Sequence, residues 1–184
     1  PDGGAPCATG GPIIVDAAGA EDETTKGRIA EAAAPLDEIR NKVVAEAAEA
    51  IEGNRDVCRA MECSMGNLVA DAMLDRVADQ GVSVAIANSG GLRASIDAGE
   101  VTMGEVLTVL PFQNALSTFE ISGQGVIDAL ENGVSQVEEV KGRFPQVAGM
   151  TFTWDPSVAP NEGRIVSVSC TNRTPPQSAP GEAA

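Results

Sequence analysis

The chain has 184 residues, of which 43% are hydrophobic and only 3% aromatic, with a formal net charge of −15 and no histidine. The acidity argues against binding to nucleic acid or to an anionic membrane surface, because both need a cationic face, and the lack of any run of about 18 apolar residues argues against a membrane span. Without histidine, Ser-His-Asp and Cys-His catalysis and most zinc and di-metal sites are excluded, whereas one small phosphorylated ligand would need only a few local arginines.

The N-terminal part of the chain is predicted to be a linker followed by a helix. Residues 1–28 are rich in Gly, Ala, Pro and acidic residues, which is typical of a linker or N-terminal arm. The first helix is predicted to start near Ile29 and to be interrupted or re-initiated at Pro35. A helical spacing of about 3.6 residues then continues toward a stop at Gly53. The apolar positions that carry this spacing are Leu36, Ile39, Val43, Ala47 and Ile51.

Four cysteines stand at positions 7, 58, 63 and 170, and none belongs to a CxxC pair, which argues against zinc and suits the disulfides of an exported protein. If Cys58 and Cys63 pair, they close a small loop around Arg59, for which the chain-entropy estimate is about 2 kcal/mol. Such a bond would mainly fix the shape of the loop and the direction of Arg59; the alternative is an ordinary surface arginine. Cys7 and Cys170 either pair with each other or stay free.

The most informative stretch runs from Val82 to Arg93. Residues 82–87 are almost all small or branched apolar residues, which predicts a buried strand, and the chain then turns at Asn88-Ser89-Gly90-Gly91. Glycines let a ligand approach the backbone closely, and exposed N–H groups can hold an anion. Arg93 adds a planar charged fork suited to phosphate or ribose hydroxyls. The alternative is a strand-ending turn with a solvated arginine.

The other predicted elements follow helix, strand and cap patterns. They are a helix from Gly66-Asn67 to about Ala78, a short helix over 103–109 with a capping box from Thr102 to Glu105, a strand over 114–121, a helix from Ser122 to about Val134, and strands over Val147–Asp155 and Ile165–Cys170. Pro111 ends the short helix and places Phe112 on a loop, either as a core anchor or as a stacking platform for a flat base. Together these elements indicate an α+β or mixed-sheet domain over 29–170, followed by a flexible tail over 171–184.

Three ordered motifs resemble the C-terminal domain of the 5'-nucleotidase family. They are Cys58-Arg59-x-x-Glu62-Cys63-x-x-Gly66-Asn67, Asn88-x-Gly90-Gly91-Leu92-Arg93 and Val109-Leu110-Pro111-Phe112. The similarity continues to Arg143-Phe144-x-Gln146-Val147-x-Gly149 and covers roughly residues 36 to 170. Three motifs in this order form a more specific pattern than any one of them alone.

The resemblance implies a four-layer α/β/β/α mixed-sheet domain from an exported, periplasmic or secreted, metal-dependent phosphoesterase. In this family an N-terminal metallophosphoesterase domain of the same polypeptide holds two divalent metal ions and hydrolyses the phosphate ester, while the C-terminal domain binds the nucleoside or nucleotide. This chain would therefore be a substrate-binding domain without a cofactor of its own. The metal domain is absent from the sequence, so the chain alone is predicted to be inactive.

The resemblance also implies roles for individual residues. Arg59 and Arg93 would contact phosphate or ribose, Asn88 would hydrogen-bond to the nucleoside, Gly90 and Gly91 would shape the loop, Phe112 would stack on the base, and Cys58 and Cys63 would form a disulfide. A second stacking aromatic and a Gly-Gly-Asp-Gly-like loop that the family places near its C-terminus are missing from this chain, so a fragment is expected and its binding should be weak. The alternatives are a non-catalytic nucleotide-binding module and an extracellular structural domain.

Overall fold

A computed structural model of the protein describes residues 21–171, and the chain divides into one unit that ends at Ile39 and a second that begins at Arg40. In the first unit the described residues form helix α1, Glu23–Arg40, whose last residue opens the second unit. The side-chain carboxylate of Asp22 accepts a hydrogen bond from the backbone N–H of Thr25 at 2.7 Å, which caps the helix. This bond also lowers the pKa of Asp22.

The expected linker over 1–28 is therefore wrong for its last residues. Helix α1 begins at Glu23 rather than near Ile29, and it runs through Pro35 without a break because the three alanines before Pro35 are strong helix formers. Residues 1–20, including Cys7, lie outside the described residues, as does the expected tail apart from its first residue.

The helix predicted to continue to Gly53 is also wrong. After Arg40 the chain forms strand β1, Val43–Ala47, which pairs antiparallel with β3, Gly99–Thr102, and Ile51 makes an isolated bridge to Ile96. Residues spaced by four share a face in a strand as well as in a helix. The β-branched pair at 43 and 44 favours the strand, and pairing with β3 decides the outcome.

The second unit combines short helices with antiparallel strand pairs, which confirms the α+β class. Its further elements are α2 (Arg55–Cys58), α3 (Ser64–Arg76), β2 (Ala85–Asn88), α4 (Met103–Val109), α5 (Gly123–Gly133), β4 (Pro145–Ala148), β5 (Met150–Trp154) and β6 (Ile165–Cys170). Strand β2 pairs with β4, and β5 pairs with β6. Together with β1–β3, the described residues therefore form three sheets, each of two antiparallel strands. The four-layer arrangement stays an expectation from the resemblance.

Elements with a local cap match their predictions closely. Helix α4 has the capping box: the Glu105 carboxylate accepts the N–H of Thr102 at 2.7 Å, and the Thr102 hydroxyl accepts the N–H of Glu105 at 3.3 Å. Ser122 caps α5 through the N–H of Gly125 at 3.1 Å. The last strand, β6, has the predicted bounds. Helix α3 begins slightly earlier than predicted, because the sulfur of Cys63 accepts the N–H of Gly66.

Three predicted strands differ in the structure. The strand predicted to be buried over 82–87 is β2, Ala85–Asn88, whose residues alternate between half-buried and exposed. Residues 114–121 are exposed and are not paired as a strand. The single strand predicted over Val147–Asp155 is divided into β4 and β5 by Gly149, which has a φ of 75° and packs so closely on Ser83 that a Cβ would lie 2.0 Å from the Ser83 carbonyl oxygen. Only glycine adopts that backbone conformation without strain, and the turn sends the two strands to different partners.

The main hydrophobic core lies around the Cys58–Cys63 disulfide. Its buried members are Cys58, Cys63, Met65, Leu92, Ile96, Val101 and Val109. They come from α2, α3, β3, α4 and the segment after β2, so one core fixes the elements that carry the candidate motifs. A smaller cluster of Ala70, Leu74 and Ala148 packs α3 on β4.

Arg164 is a charged residue inside the second unit, with only 2% of its surface exposed. Its guanidinium donates to the carbonyl of Val158 at 2.7 Å and to the carbonyl of Val134 at 2.8 Å, and it pairs with the Glu138 carboxylate at 2.6 Å. The ring of Trp154 lies 5.9 Å away. These contacts tie the start of β6 to the segment after α5.

Glu131 on α5 should make the domain sensitive to acid. Burial raises its pKa, but the backbone N–H groups of Gly163, Arg164 and Ile165 and the Arg164 charge lower it more, so the net pKa is below the ordinary 4.5. A depressed carboxyl pKa stabilises the fold above about pH 4.5, and this contribution is lost as the pH falls through the folded-state pKa.

We therefore expect the melting temperature of the Glu131→Gln variant to depend less on pH than that of the wild type between about pH 5 and 3. Differential scanning calorimetry across this range tests the expectation. Glu120→Gln, at an exposed position, should keep the wild-type slope. Equal slopes for Glu131→Gln and wild type would contradict the assignment.

Candidate functional site

The predicted glycine loop follows β2 and is fixed by the backbone from two sides. The N–H of Ser89 donates to the carbonyl of Phe144 at 2.9 Å, and the N–H of Gly90 donates to that of Gly142 at 2.8 Å. On the other side the N–H of Arg93 donates to the carbonyl of Val109, at the end of α4, at 3.0 Å. Ser89 itself is fully buried, so it is not presented to a ligand.

The two glycines of this loop have different roles. A Cβ on Gly90 would lie 2.9 Å from the carbonyl oxygen of Gly142, and one on Gly142 would lie 2.6 Å from the Cα of Gly90. The two backbones therefore touch, and neither tolerates a side chain. A Cβ on Gly91 would meet open space, and Gly91 lines the neighbouring cleft.

We expect Gly90→Ala to lower the free energy of unfolding by about 1–3 kcal/mol, as overpacking of a tight contact does. Gly91→Ala should be neutral or stabilising by up to about 1 kcal/mol, because alanine restricts the unfolded chain. Urea denaturation of both variants checks the difference. A Gly90→Ala protein as stable as Gly91→Ala would contradict the close contact.

A cleft of about 630 Å³ lies beside the loop. Three of the predicted residues, Asn88, Gly91 and Phe112, line it, and Asn114, which sequence reasoning missed, contributes a second amide. Phe112 is 55% exposed, so it is not a core anchor. An apolar cleft with a few polar groups is the usual form of a small-molecule site.

Arg93 lies beside this cleft rather than among its lining residues. Its guanidinium is 5.6 Å from the centroid of the Phe112 ring, a distance at which a cation is attracted to the face of an aromatic ring. The arrangement presents a planar positive group and a flat apolar ring next to each other, at one edge of the cleft.

Arg59 is the residue directly after α2, and its charge interacts with that of Arg93. Burial lowers the pKa of Arg59 below its ordinary value, the charges of Arg55 and Arg93 lower it further, and Asp56 acts in the opposite direction. We refer to Arg59 together with Arg55 and Arg93, whose charges act on it, as the arginine cluster; the chain as a whole has a net charge of −15. Sequence reasoning missed Arg55, although its spacing of four residues from Arg59 was a signal, because such residues share a helix face.

The contacts of Arg59 and Asn88 converge on the segment before β4. The guanidinium of Arg59 donates to the carbonyl of Val140 at 3.4 Å, and the amide of Asn88 donates to the carbonyl of Gly142 at 3.2 Å. The Nε atom of Arg59 is buried without a hydrogen-bond partner among the described residues. An anion near this group would offset both the missing bond and the repulsion among the arginines.

The disulfide expected from the resemblance joins Cys58 to Cys63. Gln146 of β4, a residue to which sequence reasoning gave no role, lies against this loop with 1% of its surface exposed. Its amide donates to the carbonyls of Cys58 and Met61, both at 2.9 Å, and accepts the N–H of Cys63 at 3.3 Å. The other expected pairing rests on Cys7, outside the described residues; Cys170 is free and exposed.

Two further findings concern residues 21–171. This part of the chain has no group of three or more Cys, Asp and Glu side chains that could hold a metal ion. None of its helices is both long enough and apolar enough to cross a membrane.

The sequence comparison decides the family. The family model described as "5'-nucleotidase, C-terminal domain" matches residues 43–177. The chain belongs to this family. In two-domain 5'-nucleotidases the partner of this domain is a metallophosphoesterase. The match therefore covers the C-terminal domain and not the metallophosphoesterase domain.

Similar 5'-nucleotidase-type proteins occur in bacteria and animals. The trifunctional nucleotide phosphoesterase protein YfkN of Bacillus subtilis is 42% identical over 120 residues, which are 65% of this chain and 8% of that protein. The 5'-nucleotidase of Bos taurus is 31% identical over 183 residues, covering 93% of this chain and 32% of that protein. The chain thus spans a third or less of the length of these relatives.

A solved structure supports the fold. The crystal structure of a 5'-nucleotidase precursor from Thermus thermophilus superposes with a TM-score of 0.76 at 40% sequence identity, over 82% of this chain and 29% of that one. At this identity the likeness extends beyond general topology to the family itself.

Proposed function

We propose that this chain is the substrate-binding domain of a 5'-nucleotidase-like phosphoesterase and that it binds the nucleoside part of a nucleotide in the cleft beside Phe112. The observation that carries the proposal is the pairing of Arg93 with the exposed Phe112 ring at 5.6 Å, at the edge of that cleft. A flat base stacks on an aromatic face, and a phosphate or ribose hydroxyl accepts hydrogen bonds from a guanidinium.

The residues around this pair would each contact a different part of the ligand. Asn88 and Asn114 offer amides inside the cleft, where they can bond to the polar edge of a nucleoside. Arg55, Arg59 and Arg93 provide the positive charge that a phosphate needs. Gly91 leaves open space at the cleft wall, which allows the ligand to approach the backbone.

In the intact enzyme this chain would bind and orient the substrate. The two divalent ions expected from the resemblance would be held by the partner domain, where they would activate water for attack on phosphorus. Binding energy from the base and the arginines would place the phosphate for that reaction.

We also propose that the protein is exported to the periplasm or secreted. The Cys58–Cys63 disulfide suits an oxidising compartment. Relatives of this chain include 5'-nucleotidases of snake venoms, such as that of Naja atra, 30% identical over 188 residues.

Calorimetry and a phosphate-release assay on the purified chain test the proposed function. AMP should bind more tightly than adenosine, because only AMP engages the arginine cluster. AMP should not be hydrolysed, with or without added divalent ions. Turnover that a chelator leaves unchanged would contradict the assignment, and no binding together with no nucleotide-induced rise in melting temperature would favour the structural-domain alternative.

A further inference from the structure

Gln146 occupies the centre of the disulfide loop. Its buried amide forms three hydrogen bonds, all to backbone atoms of residues 58–63, at 2.9, 2.9 and 3.3 Å. The carbonyl of Cys58 is at the end of α2, where helix carbonyls lack partners within the helix. Gln146 supplies that partner and so caps the C-terminal end of α2, although it lies on β4, 88 residues after Cys58 in the sequence.

These bonds hold the backbone on both sides of Arg59. Cys58 precedes Arg59 directly, and Met61 follows it by two residues. Within residues 21–171, the side chain of Arg59 forms one hydrogen bond, a long one of 3.4 Å to the carbonyl of Val140, and its buried Nε has no partner. Because these side-chain contacts are weak, the direction of the guanidinium depends on how firmly the backbone of the loop is held.

We propose that Gln146 is a positioning residue for Arg59: it holds the disulfide loop in the form that aims this guanidinium at the phosphate of a bound nucleotide. The proposal rests on the proposed function for its ligand, but the positioning itself can be measured without one. The disulfide closes the loop covalently, whereas Gln146 fixes the closed loop to β4, beside the segment that contacts Asn88 and Gly90.

Two variants remove the clamp by different routes. Gln146→Leu keeps the approximate volume but makes no hydrogen bonds to the loop. Gly66→Ala leaves Gln146 in the sequence but places a Cβ 2.2 Å from its amide oxygen, so the amide must move; because alanine favours helix more than glycine does, α3 itself should tolerate the change. Gln124→Leu is the matched control, since Gln124 is exposed and its side chain bonds to Asp128 on its own helix.

The first measurement is the NMR signal of the Arg59 Nε–H group, identified by its loss in Arg59→Lys. We expect its heteronuclear NOE, a measure of rigidity, to fall in both clamp variants and to stay unchanged in Gln124→Leu. An Arg59 signal that is as rigid in both clamp variants as in the wild type would overturn the proposal.

The second measurement separates positioning from general loss of structure. We expect the clamp variants to lose about tenfold in AMP affinity while adenosine binding stays the same, because only AMP carries the group that Arg59 contacts. In an Arg59→Ala background, Gln146→Leu should cause no further loss, since the two residues act as one unit. Equal losses for AMP and adenosine would assign Gln146 a purely structural role and overturn the proposal.

The two measurements also distinguish this proposal from the proposed function. If Arg59 loosens in both clamp variants and wild-type protein binds AMP no better than adenosine, the positioning is supported and the phosphate role of the cluster is wrong. If wild type prefers AMP and the clamp variants keep both the preference and the rigidity, the proposed function stands and Gln146 is not its positioning residue.

Discussion

Replacing Arg93 by alanine is expected to weaken AMP binding by about 10- to 150-fold, because a hydrogen bond to a charged group contributes about 1.5–3 kcal/mol. The side chain both adds charge to the cluster and lies over the Phe112 ring. Isothermal titration calorimetry with AMP at fixed low salt measures the change. Adenosine should lose less affinity than AMP, since it lacks the phosphate.

Two further variants make this prediction specific. Arg93→Lys keeps the positive charge but not the planar fork, so it should recover only part of the lost affinity. Arg76→Ala removes an exposed arginine at the end of α3 with the same change in net charge, and it should bind AMP like the wild type. An Arg93→Ala protein with wild-type affinity for AMP would contradict the role assigned to Arg93.

The sequence alone predicted those features that depend on residues close to each other in the chain. Thr102 with Glu105 and Ser122 with Gly125 cap their helices as predicted, because a cap joins backbone donors to a side chain within one turn. Such signals need no knowledge of the rest of the chain.

Pairing between distant segments could not be predicted in this way. Val43 and Ala47 fit one face of a helix and one face of a strand, and only β3 decides between them. Residues 114–121 have a strand-like composition, but a strand also requires a hydrogen-bonding neighbour, and none is assigned to them in the described part of the chain. Tertiary context overrides local preference in both cases.

In the candidate site, too, local motifs could be predicted from the sequence, whereas contacts between distant residues could not. Motifs identified Asn88, Gly91 and Phe112, and the structure places them in one cleft. The sequence could not show that Gly142 holds Asn88 from 54 positions away, or that Gln146 clamps the loop of Arg59. A residue that supports a ligand-binding side chain carries no pattern of its own, since its role exists only after the chain has folded.

Arg164→Met is expected to lower the free energy of unfolding by about 2–4 kcal/mol. The variant keeps much of the apolar stem but leaves the carbonyls of Val134 and Val158 without their partner, and an unsatisfied buried group costs about 1–3 kcal/mol. Urea denaturation followed by circular dichroism measures the loss. The effect should be on stability rather than on the nucleotide site, because these contacts join the segment after α5 to the turn before β6.

The ion pair itself should contribute only a small part of that loss. Glu138 is 53% exposed, so once Arg164 is gone its carboxylate can be hydrated. Glu138→Gln should therefore cost clearly less than Arg164→Met, which would assign most of the stabilisation to the bonds from the guanidinium to the two carbonyls. If Glu138→Gln cost as much as Arg164→Met, the charge pair would dominate and this explanation of the buried arginine would be wrong.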